Sequence, residues 1–148
     1  MEKVERPRYK EGTGFLLSRL GTMAERSWSS LLSRHGVTLA QYSALAVLEQ
    51  AGPLGQGRLA ELIAVDPRNI VAIVDGLADR NLAERRVDPL DGRRRQVHLT
   101  AQGRRVSRDI AHEAAISQSA FLGLLEPDEQ SMLNRMLQRL YDGLVGDD

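Results

Sequence analysis

One interruption in an otherwise helical pattern constrains the fold of this chain more than any other feature. Apolar residues recur at three- and four-residue steps along most of the sequence, as they do in amphipathic helices. After Asn81 the period changes. Residues 83–87 (AERRV) and 95–99 (RQVHL) are short, partly alternating segments, and the loop between them contains Pro89 and an Asp-Gly pair. This pattern predicts a β-hairpin with an extended loop, so we expect a mainly α fold with a small β-hairpin wing.

The helices are delimited by local start and stop signals. Thr38 and Gln41 form a capping-box pattern, and Asp66 followed by Pro67 combines a good N-cap with a residue suited to the first helical turn. The predicted helices run from Thr13 to His35, from Thr38 to Gly52, from Gln56 to Ala64, from Asp66 to Arg80, from Thr100 to Leu125, and from Pro127 towards Gly146.

Composition excludes several classes of function. The chain has no cysteine, which excludes disulfides, thiolate metal sites and cysteine catalysis. His35, His98 and His112 are scattered, and no phosphate loop or nucleophile elbow is visible. We therefore expect no enzyme activity, no cofactor and no metal, with a small metalloenzyme or metal sensor as a distant alternative. No stretch approaches the roughly 18 apolar residues needed to span a bilayer, so we expect a cytoplasmic protein without a membrane partner.

The net charge of zero conceals an uneven distribution. Residues 66–108 carry 10 basic and 6 acidic side chains, a net of +4, whereas residues 109–148 carry 2 basic and 8 acidic ones, a net of −6. A basic middle beside an acidic end is compatible with one surface that faces phosphate and another that does not, although solvated helix faces of opposite sign explain it equally well.

The basic middle begins with two short predicted helices, Gln56–Ala64 and Asp66–Arg80, joined by a tight turn. In a helix-turn-helix the second helix lies in the major groove, with its N-terminal residues at the base edges. Those residues here are Arg68 and Asn69, types that bind guanine and adenine through paired hydrogen bonds.

The rest of that second helix gives mixed signals. Its face opposite the apolar stripe carries Ala72 and Gly76, whose small size would let the backbone approach the groove, but also Asp75, which phosphate would repel unless Arg85 or Arg86 neutralised it. An amphipathic packing helix without a DNA contact explains the apolar stripe equally well.

The hairpin adds a concentration of guanidinium groups. Arg93, Arg94 and Arg95 follow Gly92 at the predicted tip, and Arg85 and Arg86 lie on the preceding strand. Adjacent cations on an exposed turn repel one another unless an anion approaches, and a phosphate backbone or a narrow minor groove supplies that anion. Asp88 and Asp91 are expected to hold individual Arg side chains, and a merely solvated turn is the alternative.

An ordered set of short motifs resembles the MarR family of winged helix-turn-helix regulators. The motifs are an LA pair at 59–60, VD-x-L at 74–77, DP-x-D-x-R at 88–93 and LT-x-x-G at 99–103. The resemblance covers essentially the whole chain. It implies one domain over residues 1–148, with a DNA-binding lobe at 37–99 and dimerisation helices at 9–36 and 100–146.

The resemblance also implies a function. A protein of this kind is a sequence-specific DNA-binding repressor that acts as a homodimer on a pseudo-palindromic operator. The matching positions assign base contact to Arg68 and Asn69, the wing tip to Arg93, and phosphate contact to Thr38 and Gln56. Ala72 stands where a longer polar residue is common, which predicts an unusual base preference.

A small aromatic or phenolic effector is a further implication of the resemblance. Many similar proteins bind such an anion between the dimer helices and the DNA-reading lobe. Trp28, with Arg19 and His35 on the same predicted helix, is the candidate site here. The alternative to the whole interpretation is a protein-interaction module that uses a winged-helix scaffold without specific DNA binding.

Overall fold

The computed structural model describes residues 8–146, and helices account for most of them. A short 3-10 helix at Arg8–Glu11 precedes the first α-helix. The remaining elements are α1 (Thr13–Arg34), α2 (Leu39–Ala51), β1 (Leu54–Gly55), α3 (Gln56–Leu62), α4 (Pro67–Asp79), β2 (Ala83–Val87), β3 (Arg95–Leu99), α5 (Ala101–Phe121) and α6 (Pro127–Val145). The expected fold class, mainly α with a small β wing, is confirmed.

The helix ends form where the capping residues predict them. The Gln41 amide donates to Thr38 Oγ1 at 3.1 Å and the Thr38 amide to Gln41 Oε1 at 3.0 Å, which completes the capping box of α2. Asp66 Oδ1 accepts from the Arg68 amide at 2.8 Å at the start of α4. These side chains satisfy amides that a helix start leaves without backbone partners.

The wing has one strand more than the sequence predicts. The hairpin strands β2 and β3 match the predicted ranges, and β1 pairs with β3 on its other edge, giving an antiparallel sheet in the order β1-β3-β2. β1 contributes only Leu54 and Gly55, opposite Val97 and Gln96. Two residues are too few to show an alternating pattern, so β1 becomes visible only through its distant partner.

The chain forms two compact units that divide within α5, after Ala114. The first unit contains the main core, in which the largest fully buried side chains are Leu45, Leu59, Val74, Leu77, Leu82, Val97 and Ile110. They come from α2, α3, α4, the turn before β2, the sheet and α5, so the core joins the helix-turn-helix to the wing. This arrangement fixes α4 with its apolar face inward and its polar face outward.

The second unit comprises the end of α5 and α6. The predicted helix to Leu125 ends at Phe121 instead, and Gln130 of α6 donates to the carbonyl oxygens of Leu122 and Leu125 at 3.1 and 3.0 Å. α6 has no buried residue, although it carries many apolar side chains. Those at least 40% exposed are Met132, Met136, Leu137, Leu140, Tyr141, Leu144 and Val145.

Candidate nucleic-acid interface

The N-terminal half of α4 presents a polar face to solvent. Ile70 and Val74 of this helix are buried, whereas Arg68, Asn69 and Ala72 are all exposed. The turn before α4 is held by a hydrogen bond from the Val65 amide to the Ala60 carbonyl of α3 at 3.0 Å. Arg68 and Asn69, which sequence analysis assigned to base contact, therefore share one exposed surface with Ala72.

Arg68 folds back onto the cap of its own helix. Its Nε and Nη2 atoms donate to the two carboxylate oxygens of Asp66 at 3.0 and 2.7 Å. The guanidinium lowers the pKa of Asp66, and the carboxylate raises the pKa of Arg68. The Arg68 side chain is still 89% exposed. An ion pair so open to water is weak, so an incoming base or phosphate can compete for the guanidinium.

Arg85 connects three elements of the winged helix. Its Nε donates to Gln56 Oε1 of α3 at 2.7 Å, its Nη1 lies 2.7 Å from Asp75 Oδ1 of α4, and its Nη2 donates to the Val71 carbonyl at 3.4 Å. Only 24% of the Arg85 side chain is exposed. The predicted neutralisation of Asp75 by an arginine is thus present, and both Arg85 and Gln56 are engaged within the protein.

Arg86 lies on the opposite face of the sheet from Arg85. Successive side chains of a strand point to opposite faces, so the two arginines cannot line the same surface. Arg86 is exposed and forms an ion pair with Glu84, two residues away on the same face. The structure thus separates these two arginines, which sequence analysis grouped together as DNA contacts.

The wing tip is a hydrogen-bonded turn with exposed cations. Asp88 Oδ1 accepts from the Leu90 amide at 2.8 Å and Asp91 Oδ1 from the Arg93 amide at 3.0 Å, so both acids fix the backbone. The sequence also predicts that these acids contact Arg side chains, and Asp91 Oδ2 lies 3.5 Å from Arg94 Nε. The Arg94 side chain is 79% exposed. Arg93, Arg94 and Arg95 are all exposed. The loop and the first residue of β3 therefore place three consecutive guanidinium groups in water.

Two further positions, Thr38 and Gly76, face side chains of α2 within the protein. Thr38 is exposed, but its hydroxyl serves the α2 cap by accepting from Gln41. A Cβ added at Gly76 would lie 2.6 Å from Gln41 Nε2 of α2. The missing side chain of Gly76 therefore leaves room for the end of the Gln41 side chain, a role that only the tertiary contact reveals.

A groove of about 370 Å³ lies beside Trp28. It is lined by the C-terminal half of α1 and the start of α2, namely Glu25, Trp28, Ser29, Leu32, Ser33, Val37, Thr38 and Leu39. The Trp28 ring packs edge-on against Tyr42, with the ring centroids 5.3 Å apart. Burial raises the pKa of the Tyr42 hydroxyl, and the negative charge of Glu49 adds to the shift.

The structure does not bring the three predicted effector residues together. Trp28 lines the groove, but Arg19 is exposed nine residues earlier on α1, about 13 Å away along a helix axis. His35 lies just past the end of α1, where its Nε2 is 2.9 Å from Glu113 Oε1 of α5. Of this group, Trp28 stands at a cavity large enough for a single aromatic ring.

A larger cavity, of about 530 Å³, lies on the Arg86 face of the sheet. Its lining includes Arg86, His98 and Arg104, and the buried His98 Nε2 has no hydrogen-bond partner among residues 8–146. Across the same described residues, no group of three or more His, Asp or Glu side chains is arranged to hold a metal ion. None of the helices in that part of the chain is both long and apolar enough to cross a membrane.

Comparison with known proteins gives consistent matches. Residues 35–94 match a family model described as MarR family. An HTH-type transcriptional repressor of Mycobacterium tuberculosis is 28% identical over 127 residues, which are 86% of this chain and 91% of that protein.

Solved structures match along nearly the whole length. The PcaV transcriptional regulator of Streptomyces coelicolor is 31% identical with a TM-score of 0.73, and the match covers 92% of this chain and 99% of that one. The same regulator has also been solved with its natural ligand. A MarR-family transcriptional regulator of Rhodococcus sp. RHA1 is 30% identical with a TM-score of 0.69, over 87% of this chain and 89% of that one.

Proposed function

Since the chain belongs to the MarR family of transcriptional regulators, we propose that it is a homodimeric repressor that reads a pseudo-palindromic operator and releases it when a small aromatic anion binds. The observation that carries this proposal is the pairing of two exposed surfaces: the polar face of α4, with Arg68 and Asn69, and the arginine-rich wing tip. The first has the residue types that read base edges, and the second has the charge that binds phosphate or the minor groove.

Base reading is assigned to Arg68, Asn69 and the methyl group of Ala72. For Arg68 to reach a base, its guanidinium exchanges the Asp66 carboxylate for guanine acceptors, which keeps its hydrogen bonds satisfied. Ala72 offers only an apolar contact, so a thymine methyl group is the base feature that it complements. We therefore expect each half-site to contain guanine, adenine and thymine at fixed positions.

The homodimer is proposed from the exposed apolar side chains of the terminal helices. α6 buries none of its residues, and α1 exposes Leu16, Leu17, Leu20 and Met23. Exposed apolar side chains in such numbers on one helix are unusual on a monomer and typical of an obligate interface. A second copy of the chain is the partner proposed, because the family assembles through these helices and a two-fold dimer presents two α4 helices to two half-sites.

The effector is assigned to the Trp28 groove. Its lining is mixed, with Leu32, Val37 and Leu39 beside the hydroxyls of Ser29, Ser33 and Thr38. This combination suits one aromatic ring that carries hydroxyl or carboxylate groups. PcaV, which has been solved in complex with its natural ligand, supports the proposal that a protein of this fold binds a ligand. We expect the effector to favour a spacing of the two α4 helices that no longer fits the operator.

Selection of bound duplexes from random DNA tests the proposal. We expect an inverted repeat with half-sites about 10 base pairs apart, and an affinity that falls steeply with salt. Replacing Arg93 and Arg94 with Ala should weaken binding to all duplexes and reduce the salt slope. Replacing Arg135 and Arg139 of α6 with Ala also removes two positive charges and should do neither. Failure to enrich any duplex would contradict the proposal and favour the protein-interaction module.

A further inference from the structure

We propose that Arg80 is a positioning residue that ties the recognition helix α4 to the C-terminal end of α1 and thereby sets the orientation in which α4 meets the operator. Arg80 directly follows α4 as its C-cap residue. This inference rests on the proposed function, since it concerns how the same DNA-reading helix is held.

The main evidence is a pair of hydrogen bonds between Arg80 and two residues about 45 positions earlier in the sequence. Arg80 Nη1 donates to the Gly36 carbonyl at 2.5 Å, and Arg80 Nη2 donates to the His35 carbonyl at 2.9 Å. We call these two hydrogen bonds the Arg80 bridge. A planar guanidinium with two parallel donors fixes both distance and direction, which a single flexible donor does not.

The end of α1 is built to receive this guanidinium. Gly36 has a φ of +65°, and a Cβ at that position would lie 3.2 Å from Arg80 Nη1. The left-handed backbone turns the chain out of α1, and the missing side chain leaves the space that the guanidinium occupies. The two carbonyls belong to the end of a helix, where they lack amide partners within the helix and where a cation is favoured by the helix dipole.

The same junction connects to α5. His35 Nε2 lies 2.9 Å from Glu113 Oε1, and Arg34 Nη2 donates to Glu113 Oε2 at 3.0 Å. Arg34, and secondarily His35, lowers the pKa of Glu113, so the carboxylate is ionised at neutral pH. The bridge therefore joins α4 to a segment that α5 holds from its other side.

The location separates Arg80 from the DNA-contact residues. Arg80 lies twelve positions after Arg68, about 18 Å along the axis of α4. In a helix-turn-helix the N-terminal end of the recognition helix contacts the bases. Arg80 holds the other end, so a small change in its anchoring rotates the reading end about that point. Val37, one residue past the bridge, lines the Trp28 groove, which places the groove and the anchor on one short segment.

The variant Arg80→Gln tests the bridge, with Arg108→Gln as its control. Arg108 also joins two helices through an exposed pair, its Nε lying 2.6 Å from Glu49 Oε1. We expect Arg80→Gln to weaken binding to the selected operator roughly tenfold, because only molecules with α4 correctly placed bind. Its salt slope should equal that of the unmodified protein, since no phosphate contact is lost. Arg80→Lys should recover part of the affinity, and Arg108→Gln should keep all of it.

Two outcomes on DNA would overturn the inference. One is an Arg80→Gln affinity within twofold of the unmodified protein, and the other is a salt slope reduced by about one unit, which marks a direct phosphate contact. Hydrogen exchange provides a test without DNA, so the bridge is tested even if the proposed function fails. Arg80→Gln should speed amide exchange at residues 36–37 and 80–82. Unchanged exchange rates at these residues would contradict the proposed role of the Arg80 bridge.

Discussion

Gly103 is a residue whose replacement the structure tolerates poorly, and it belongs to the LT-x-x-G motif. A Cβ at this position would lie 1.9 Å from the Leu82 carbonyl oxygen and 2.9 Å from Leu99 Cδ1. The same Leu82 carbonyl accepts from the Thr100 amide at 3.1 Å, and Thr100 Oγ1 accepts from the Gly103 amide at 2.9 Å. The motif therefore fixes the start of α5 directly against the strand that begins the wing.

We expect Gly103→Ala to lower the free energy of unfolding by about 3 kcal/mol, because backbone atoms have to move to admit the methyl group. Gly57→Ala on α3 is the control, since a Cβ there meets nothing within 4 Å and alanine is the better helix former. Urea unfolding of both variants measures the difference. Equal stability of the two variants would show that the Leu82 carbonyl oxygen lies farther from Gly103 than the structure indicates.

Asp66 combines a structural role with an electrostatic one. As the N-cap of α4 it has a lowered pKa, held below the ordinary 3.8 mainly by the Arg68 side chain. A lowered folded-state pKa means that the ionised carboxylate stabilises the fold above the ordinary value and that this contribution is lost as the pH falls through the folded-state value. Asp66→Asn keeps a capping oxygen but removes the charge.

The variant Asp66→Asn should therefore differ from the unmodified protein in two measurements. Its stability deficit at neutral pH should shrink on acidification below the ordinary carboxyl pKa, which unfolding at several pH values detects. Its DNA affinity should rise several-fold, because Arg68 is released and one negative charge leaves the interface. A deficit that grows on acidification, or weaker DNA binding, would contradict the assigned roles of this pair.

At the scale of elements, Arg85 determines how the wing sits on the helix-turn-helix. It reaches Gln56 of α3 and Asp75 of α4 from β2, so one guanidinium joins a strand to both helices. We expect a double-mutant cycle of Arg85→Gln and Asp75→Asn to give a coupling of about 1 kcal/mol in unfolding experiments. Additive effects of the two changes would indicate that the pair contributes nothing to holding the elements together.

Local sequence signals predicted the elements well, and tertiary contacts explain what they missed. Capping residues such as Thr38 and Asp66 act within one turn, so the starts of α2 and α4 follow from neighbouring residues. The hairpin strands also agree with their predicted ranges. β1 and the roles of Gly76 and Arg80 depend on partners far along the chain, which no local pattern contains.

For the predicted site residues too, local signals succeeded where tertiary contacts were not needed. The exposure of Arg68 and Asn69 follows from the helical period of the apolar residues, and that of the wing tip follows from its turn residues. The ion pair between Asp75 and Arg85 was predicted from their opposite charges. The proposed effector residues Arg19, Trp28 and His35 shared one helix in the sequence interpretation, but a helix of 22 residues presents its ends to different neighbours. Trp28 lines a cavity between α1 and the start of α2, because cavities form between elements rather than along them.

At the scale of the whole molecule, the proposed homodimer depends on the exposed apolar side chains of α6. Leu140 and Leu144 of α6 are 53% and 84% exposed. Replacing both with Asp should convert the dimer to a monomer, because burying two unpaired carboxylates at an apolar interface costs more free energy than the interface contacts provide. Gln138→Asp on the same helix adds a charge at an exposed polar position and should leave the dimer intact. Light scattering distinguishes the two states.

The monomeric variant also separates dimerisation from folding. Its described core, in the first unit, does not include α6, so its circular dichroism should remain helical. We expect its operator affinity to fall to the level of non-specific DNA, since one half-site alone supplies only half of the contacts. A variant that stays monomeric and still binds the full operator tightly would contradict two-fold recognition.

The spacing of the half-sites tests the central claim most directly. Affinity would be measured for the selected operator and for a version with five base pairs inserted between its half-sites. A rigid pair of α4 helices reads two half-sites on one face of the DNA, and five base pairs, about half a helical turn, move the second half-site to the opposite face. We predict a loss of affinity to the non-specific level. Unchanged affinity for the five-base-pair insertion would contradict a dimer that reads both half-sites together.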